Sequence, residues 1–238
     1  MNTTTIATTS STNAYTTPAF WERLWRSSGI QAVGLFLIGY LIYGYQPPAG
    51  ASADALIAFY DGDRTRILVA AVLSGLAVLN LMWFAAALRT TLAEAEQDGW
   101  GAAATAASAA LGALFLLLIT TIAALAYSIA GSGNHALTSA LNEFAWASVV
   151  LTSFPRAMLI MAAAFGLWRA KLISNALFAV GVAAVVLELL GGTTWVSGGL
   201  WAPDGVYSRL ISPLIGLVWI LVVSRVLMTR RPATRAGW

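Results

Sequence analysis

The sequence contains no cysteine, one histidine and one lysine, and only 10% of its 238 residues are charged. Without cysteine there are no disulfides, thiolate nucleophiles, Cys-ligated zinc ions or iron–sulfur clusters, and the redox compartment cannot be read. A bis-histidine haem requires two suitably placed histidines, but His135 stands alone in the turn GSGNH. Ser132 and His135, three residues apart in that turn, lack the converging helices and oxyanion donors of an intramembrane serine protease. Retinal attachment requires a lysine within a span, whereas Lys171 lies in the short turn WRAKL. No HExxH motif or phosphate-binding glycine loop occurs. DGDR at 61–64 lacks the extended carboxylate pattern of membrane phosphotransferases, and Asp61 and Asp63 beside Arg64 and Arg66 read as a surface ion-pair cluster. No metal site, cofactor or catalytic constellation is expected, so the chain reads as a non-enzyme.

What is abundant is apolar: 59% of residues are hydrophobic and the mean hydropathy is +0.77, against about 25% charged residues in a soluble domain. The expected fold class is all-α, a polytopic transmembrane bundle of six helices. A span needs about 20 apolar residues, and six segments meet that length: about 28–46, 66–89, 102–130, 144–168, 172–191 and 209–229. Residues 1–19 are rich in Thr and Ser and lack the basic and apolar regions of a signal peptide, so they read as a disordered tail. Phe20, Trp21 and Trp25 beside Arg23 and Arg26 suit a bilayer interface, and 230–238 is a basic tail.

Basic residues near span ends favour the cytoplasm. Arg23, Arg26, Arg89, Arg169, Lys171, Arg225, Arg230, Arg231 and Arg235 fall on one side, against Arg64, Arg66 and Arg209 on the other. Both termini are therefore expected in the cytoplasm, with 47–65, 131–143 and 192–208 outside. This distribution explains the net charge of +3 as a topology signal and gives no reason to expect nucleic acid. In the first outer segment, SADALIAFY predicts a short surface helix capped by Ser52. Ala104, Ser108 and Gly112 on the third span, and Ala179 and Ala183 on the fifth, have the spacing of small-residue helix seams. Three plus three spans allow an inverted repeat, although the halves show no convincing similarity.

Arg156 is the one cation deep inside a span. It lies about 18 Å from the outer end of its helix at 1.5 Å per residue, where exposure to lipid costs at least about 2.5–3.5 kcal/mol. It must therefore face protein or water. Ser148, Thr152 and Arg156 repeat every fourth residue and form one polar stripe. Pro155 frees the carbonyl of Leu151 and predicts a kink. Asn80 lies at comparable depth and offers an amide oxygen. Glu188, counted from the outer end of its span, lies nearer the surface, so a water-bridged contact with Arg156 is expected rather than a direct one. These residues either line an outward-facing cavity for a small polar or anionic solute, or fix the register of the bundle. The outer loop carrying Trp195, Trp201 and Tyr207 among its glycines reads as an interfacial turn anchored by tryptophans, or else as a lid over the cavity.

The stretch PPAGASADALIAFYDGDRTRI, leading into a span that ends LMWFAAALRTTL, resembles a family of six-helix bacterial membrane proteins with a domain of unknown function. The resemblance implies a multi-pass bundle in a bacterial inner membrane and transfers no catalytic residue. Two functions follow from the residues: a non-enzymatic membrane protein that binds or passes a small solute, and an accessory or scaffold subunit with a protein partner or a second copy of itself. The lipid bilayer is a partner in both.

Overall fold

The computed structural model describes residues 24–229. The Thr/Ser-rich segment 1–19, residues 20–23 and the basic segment 230–238 lie outside the described residues. All regular structure among the described residues is helical, with no strand. In chain order the helices are α1 (Ser28–Tyr43), α2 (Ala53–Tyr60), α3 (Arg64–Ala93), α4 (Asp98–Ala124), α5 (His135–Leu151), α6 (Ser153–Arg169), α7 (Asn175–Gly191) and α8 (Ser212–Thr229). A π turn at Leu125–Ile129 and a 3-10 turn at Ala130–Ser132 prolong α4, and a second π turn at Tyr207–Ile211 leads into α8.

Four helical stretches are long and apolar enough to cross a membrane: Arg64–Ala93, Asp98–Ser132, His135–Arg169 and Tyr207–Thr229. The other two expected spans are present as apolar helices of 16 and 17 residues, α1 and α7, short of the usual 20 or so. The shortening has local causes. Pro47 has no N–H to offer the carbonyl of Tyr43, and α1 stops there. Ser174 caps α7, its Oγ accepting from the Leu177 amide at 3.2 Å, so that helix starts at Asn175. The fourth expected span moves the other way. Asn134 Oδ1 accepts from the Leu137 amide at 3.1 Å, and α5 begins at His135 where a loop through 143 was expected.

Two bundle ends can be named by residues they carry. The Pro47 end holds the 44–52 segment, α2, the turn at 133–134 and the loop 192–206, whereas the Lys171 end holds the turns at 94–97 and 170–174. Helix α2 forms as expected, with Ser52 Oγ accepting from the Ala55 amide, and buries Leu56 and Tyr60 against Ile67, Leu125 and Ala130. The main apolar core lies where α3, α4 and α6 meet, around Leu88, Leu92, Ala104, Leu111 and Leu167. At the Lys171 end the rings of Trp100, Phe165, Phe178 and Trp168 contact in series, with centroids 5.2, 4.9 and 4.5 Å apart. Aromatic residues gather in this way at bilayer interfaces. Arg26 Nη1 donates to the carbonyl of Leu227 at 3.3 Å, which brings the first and last described helices together at that end.

Of the two expected seams, the one on α4 forms: Ala104, Ser108 and Gly112 are buried, and Ser108 Oγ donates to the carbonyl of Leu81 on α3. On α7 the seam is a different face. Ala179 and Ala183 are exposed, and Gly181, Ala184, Glu188 and Gly191 are buried in their place. That face carries the helix's one charge, and burying Glu188 against protein fixes the rotation of the whole helix.

Candidate functional site

The helical stretch carrying Arg156 has a local irregularity at Thr152, where α5 passes into α6 with the backbone still in the helical region. Pro155 cannot donate to the carbonyl of Leu151, so the irregularity falls where the sequence places it. Arg156 follows in the first turn of α6, and its guanidinium is held on three sides. Nε donates to Glu188 Oε2 at 3.0 Å, Nη1 to Thr152 Oγ1 at 2.7 Å, and Nη2 to Ser153 Oγ at 3.0 Å and Ser212 Oγ at 2.6 Å. Ser212 Oγ in turn donates to Glu188 Oε2 at 2.7 Å. Arg156 is 6% exposed and Glu188 0%, so both side chains are withdrawn from the bundle surface and paired with one another.

The contact is direct, where a water-bridged one was expected. The reason lies in the reference point. Measured from the tight turn joining α6 to α7, Arg156 is thirteen residues before Arg169 and Glu188 thirteen after Asn175. Both therefore stand about 20 Å above that turn, at one height on an antiparallel pair. Ser212 reaches the cluster because the π turn before it lets its amide bond the carbonyl of Tyr207, five residues back. Pro213, which cannot donate to Arg209, favours that widened turn. Gly216 supplies the room: a Cβ there would sit 3.1 Å from Arg156 Cδ and 3.2 Å from Glu188 Oε1. Oε1 is buried without a hydrogen-bond partner.

Beside this cluster lies a cavity of about 480 Å³ bounded by α1, α3, α4, α5, α6 and α8. Its walls are mainly apolar, from residues such as Phe36, Ile67, Leu111, Phe115, Leu217 and Ile220. Thr152 and Arg156 touch it on one side, and Gln46, Trp146 and Arg209 at the Pro47 end. The volume falls within the roughly 300–1,000 Å³ of small-molecule sites.

The segment 44–50 roofs the Pro47 end and is tied down by side chains from α2, α5 and the π turn. Asn142 Oδ1 accepts from Tyr60 Oη at 2.9 Å and Gln46 Nε2 at 3.2 Å, and its Nδ2 donates to the carbonyl of Pro48 at 3.3 Å. Trp146 Nε1 donates to the carbonyl of Pro47 at 3.0 Å, and Glu143 accepts from the Gly50 amide. Arg209 Nη2 donates to the carbonyl of Gln46 at 2.8 Å while the guanidinium lies 3.4 Å from the centre of the Tyr45 ring and 5.2 Å from that of Trp146. Burial pushes the Tyr60 phenol up to about 12.

The expected site residues thus separate. Arg156, Thr152 and Glu188 come together, but only Arg156 and Thr152 reach the cavity wall. Ser148 is buried on the same stripe and turns its hydroxyl back to the carbonyl of Phe144 at 2.8 Å. Asn80 does not join them; its Nδ2 donates to the carbonyl of Leu76 on its own helix at 2.9 Å. Trp195, Trp201 and Tyr207 lie apart from the cavity lining. Trp195 Nε1 donates to the carbonyl of Gly192, Trp201 Nε1 to Thr193 Oγ1 and Tyr207 Oη to the carbonyl of Leu187. These bonds hold the loop against itself and against α7, and the segment that covers the Pro47 end of the cavity is 44–50. Gln46, Asn142, Trp146, Ser153, Arg209 and Ser212 were not singled out from sequence. No group of three His, Asp or Glu side chains able to hold a metal occurs among the described residues. Comparison with protein-family models, curated proteins and solved structures finds no match.

Proposed function

We propose that this chain is a non-enzymatic, multi-pass protein of a cell membrane, bacterial by the resemblance of its 47–92 region, that holds a small solute in the cavity beneath the 44–50 roof. In this reading the chain crosses the bilayer six times and both termini are cytoplasmic. Support for the orientation comes from the nine-to-three bias of basic residues and from the Arg26–Leu227 contact between the first and last described helices. The observation that carries the function is a cavity of about 480 Å³ with a hydrogen-bonded cover at one end and mainly apolar walls. The apolar walls shift the solute from the polar or anionic one that sequence suggests toward one with a substantial apolar part.

A second reading is supported by a different observation. Four donated bonds engage the Arg156 guanidinium within the protein, which suits a brace that fixes helix packing in a scaffold subunit. Mass spectrometry of small molecules released from the purified protein separates the two. A molecule retained near one per chain, and lost from a well-folded Ala71→Phe variant whose new ring fills the cavity, supports the solute reading. Absence of any such molecule supports the scaffold. Single cysteines placed at Asp54 and Lys171, read against a cysteine-free background, test the orientation: an impermeant maleimide should reach them from opposite faces of the membrane.

A further inference from the structure

Helices α1 and α8 touch at the Lys171 end and separate toward the Pro47 end. A Cβ on Gly29 would fall 2.1 Å from Ser224 Oγ and 3.1 Å from Ile220 Cγ2, so the backbones meet closely there. Two to three turns further along, Leu37, Tyr40 and Leu41 of α1 and Leu210 and Leu214 beside or on α8 line the cavity. All five are also exposed, Leu41 at 77%. Residues that border both the cavity and the outer surface of the bundle mark an opening on its side, among apolar groups that face acyl chains.

Above that opening stands Arg209. It is half-buried and stacked on Tyr45, with one hydrogen bond among the described residues, to the carbonyl of Gln46. Since guanidinium carries five N–H donors, most of its capacity remains to be used. The arrangement is an apolar slot entered sideways from the bilayer with a fixed cation at its rim. From it we infer that the occupant is an anionic membrane lipid, one acyl chain inside the cavity and its phosphate against Arg209. This rests on the reading of the cavity as a solute site.

The physics also says what selects the lipid. Moving a chain from bilayer to apolar cavity exchanges one hydrocarbon environment for another, and little free energy is gained, as for helices packing in lipid. Selectivity therefore falls to the headgroup, where a phosphate and an arginine form charge-assisted hydrogen bonds near the low-dielectric interior. Arg156 is not the recognising cation, because four of its five donors already serve Glu188, Thr152, Ser153 and Ser212.

The test is native mass spectrometry of the full chain in neutral detergent, given equal amounts of phosphatidylglycerol and diacylglycerol with identical chains. One phosphatidylglycerol should be retained in preference to diacylglycerol, which lacks the phosphate, by roughly tenfold, the scale of one charge-assisted bond. Arg209→Gln should abolish the preference and Arg209→Lys retain most of it, while Ala71→Phe should abolish retention altogether. Equal retention of the two lipids by the native chain overturns the inference, as does a preference that survives in Arg209→Gln. Several lipids retained with no effect of Ala71→Phe would indicate surface lipid only, and would sink the inference. If a non-lipid or neutral molecule is retained and Ala71→Phe removes it, the cavity reading stands and the lipid assignment falls. If nothing sensitive to Ala71→Phe is retained, both fall.

Discussion

Arg156 Nε stands 3.0 Å from Glu188 Oε2, the two side chains meeting at equal height on the antiparallel pair α6 and α7. Removing one member of such a pair leaves a buried charge without its counter-charge, at about 3–5 kcal/mol, whereas replacing both with apolar groups of similar volume is often nearly neutral. Arg156→Leu and Glu188→Leu should each lower the unfolding midpoint in detergent sharply, and the double variant Arg156→Met/Glu188→Leu should recover most of the loss. Single variants no worse than the double would show that the contact carries no coupling.

Gly216 offers a steric prediction. Its missing Cβ leaves space beside Arg156 Cδ and Glu188 Oε1, at 3.1 and 3.2 Å, and the hydrogen bonds around the guanidinium leave those atoms little freedom to yield. Gly216→Ala should cost about 1–3 kcal/mol, as overpacking of a tight site does. Gly34, with no atom within 4 Å of the corresponding position, should accept alanine without loss. Equal thermal midpoints for the two variants would remove Gly216 from the account.

The buried Tyr60 phenol sets an alkaline limit. Its proton is held up to about 12 in the folded chain against an ordinary 10.0, chiefly because burial disfavours the phenolate. The folded state therefore binds that proton more tightly than the unfolded state does. The associated stability is complete below pH 10 and is lost as the pH rises from 10 through about 12. Tyr60→Phe should flatten this part of the stability profile. An unchanged profile, or tyrosinate absorbance showing all phenols titrating near 10, would contradict the assignment.

Asn142 is the hub of the roof, holding Tyr60, Gln46 and Pro48. Asn142→Leu leaves buried polar groups unpaired at about 1–3 kcal/mol. Amide exchange should then rise in residues 44–51, with α6 and α7 little affected. Protection of 44–51 equal to that of the native chain would mean that the roof is held by other contacts.

The legible part of this molecule was what periodicity and local chemistry fix. Apolar runs located the helices, Ser52 announced the cap of α2, and Pro155 announced the irregularity at Thr152. Burial of Arg156 followed from the cost of a charge in lipid, and the small-residue spacing on α4 found its partner. Contacts set by the relative height and rotation of helices were harder to read. The Arg156–Glu188 pairing is written in equal distances from the WRAKL turn, whereas the outer ends of the two apolar runs lie at unequal distances from the two residues and conceal it. Asn142 looked like a loop residue because α5 starts earlier than its apolar run does. Arg209 looked like an ordinary interfacial arginine, since the π turn that swings it over Tyr45 has only Pro213 as a sequence trace. Alanine is abundant on α7, so Ala179 and Ala183 imitated a seam that Gly181 and Glu188 actually form.

The 17 residues of α7 have one further consequence. At 1.5 Å per residue the helix measures about 26 Å, less than the roughly 30 Å of a typical hydrocarbon layer. A bilayer crossed by α7 would be pinched locally beside it, whereas the 30-residue α3 would meet lipid of full thickness or tilt within it. The molecule would then act as a wedge in the membrane plane, settling in thinner regions and tilting its lipid neighbours on one flank only.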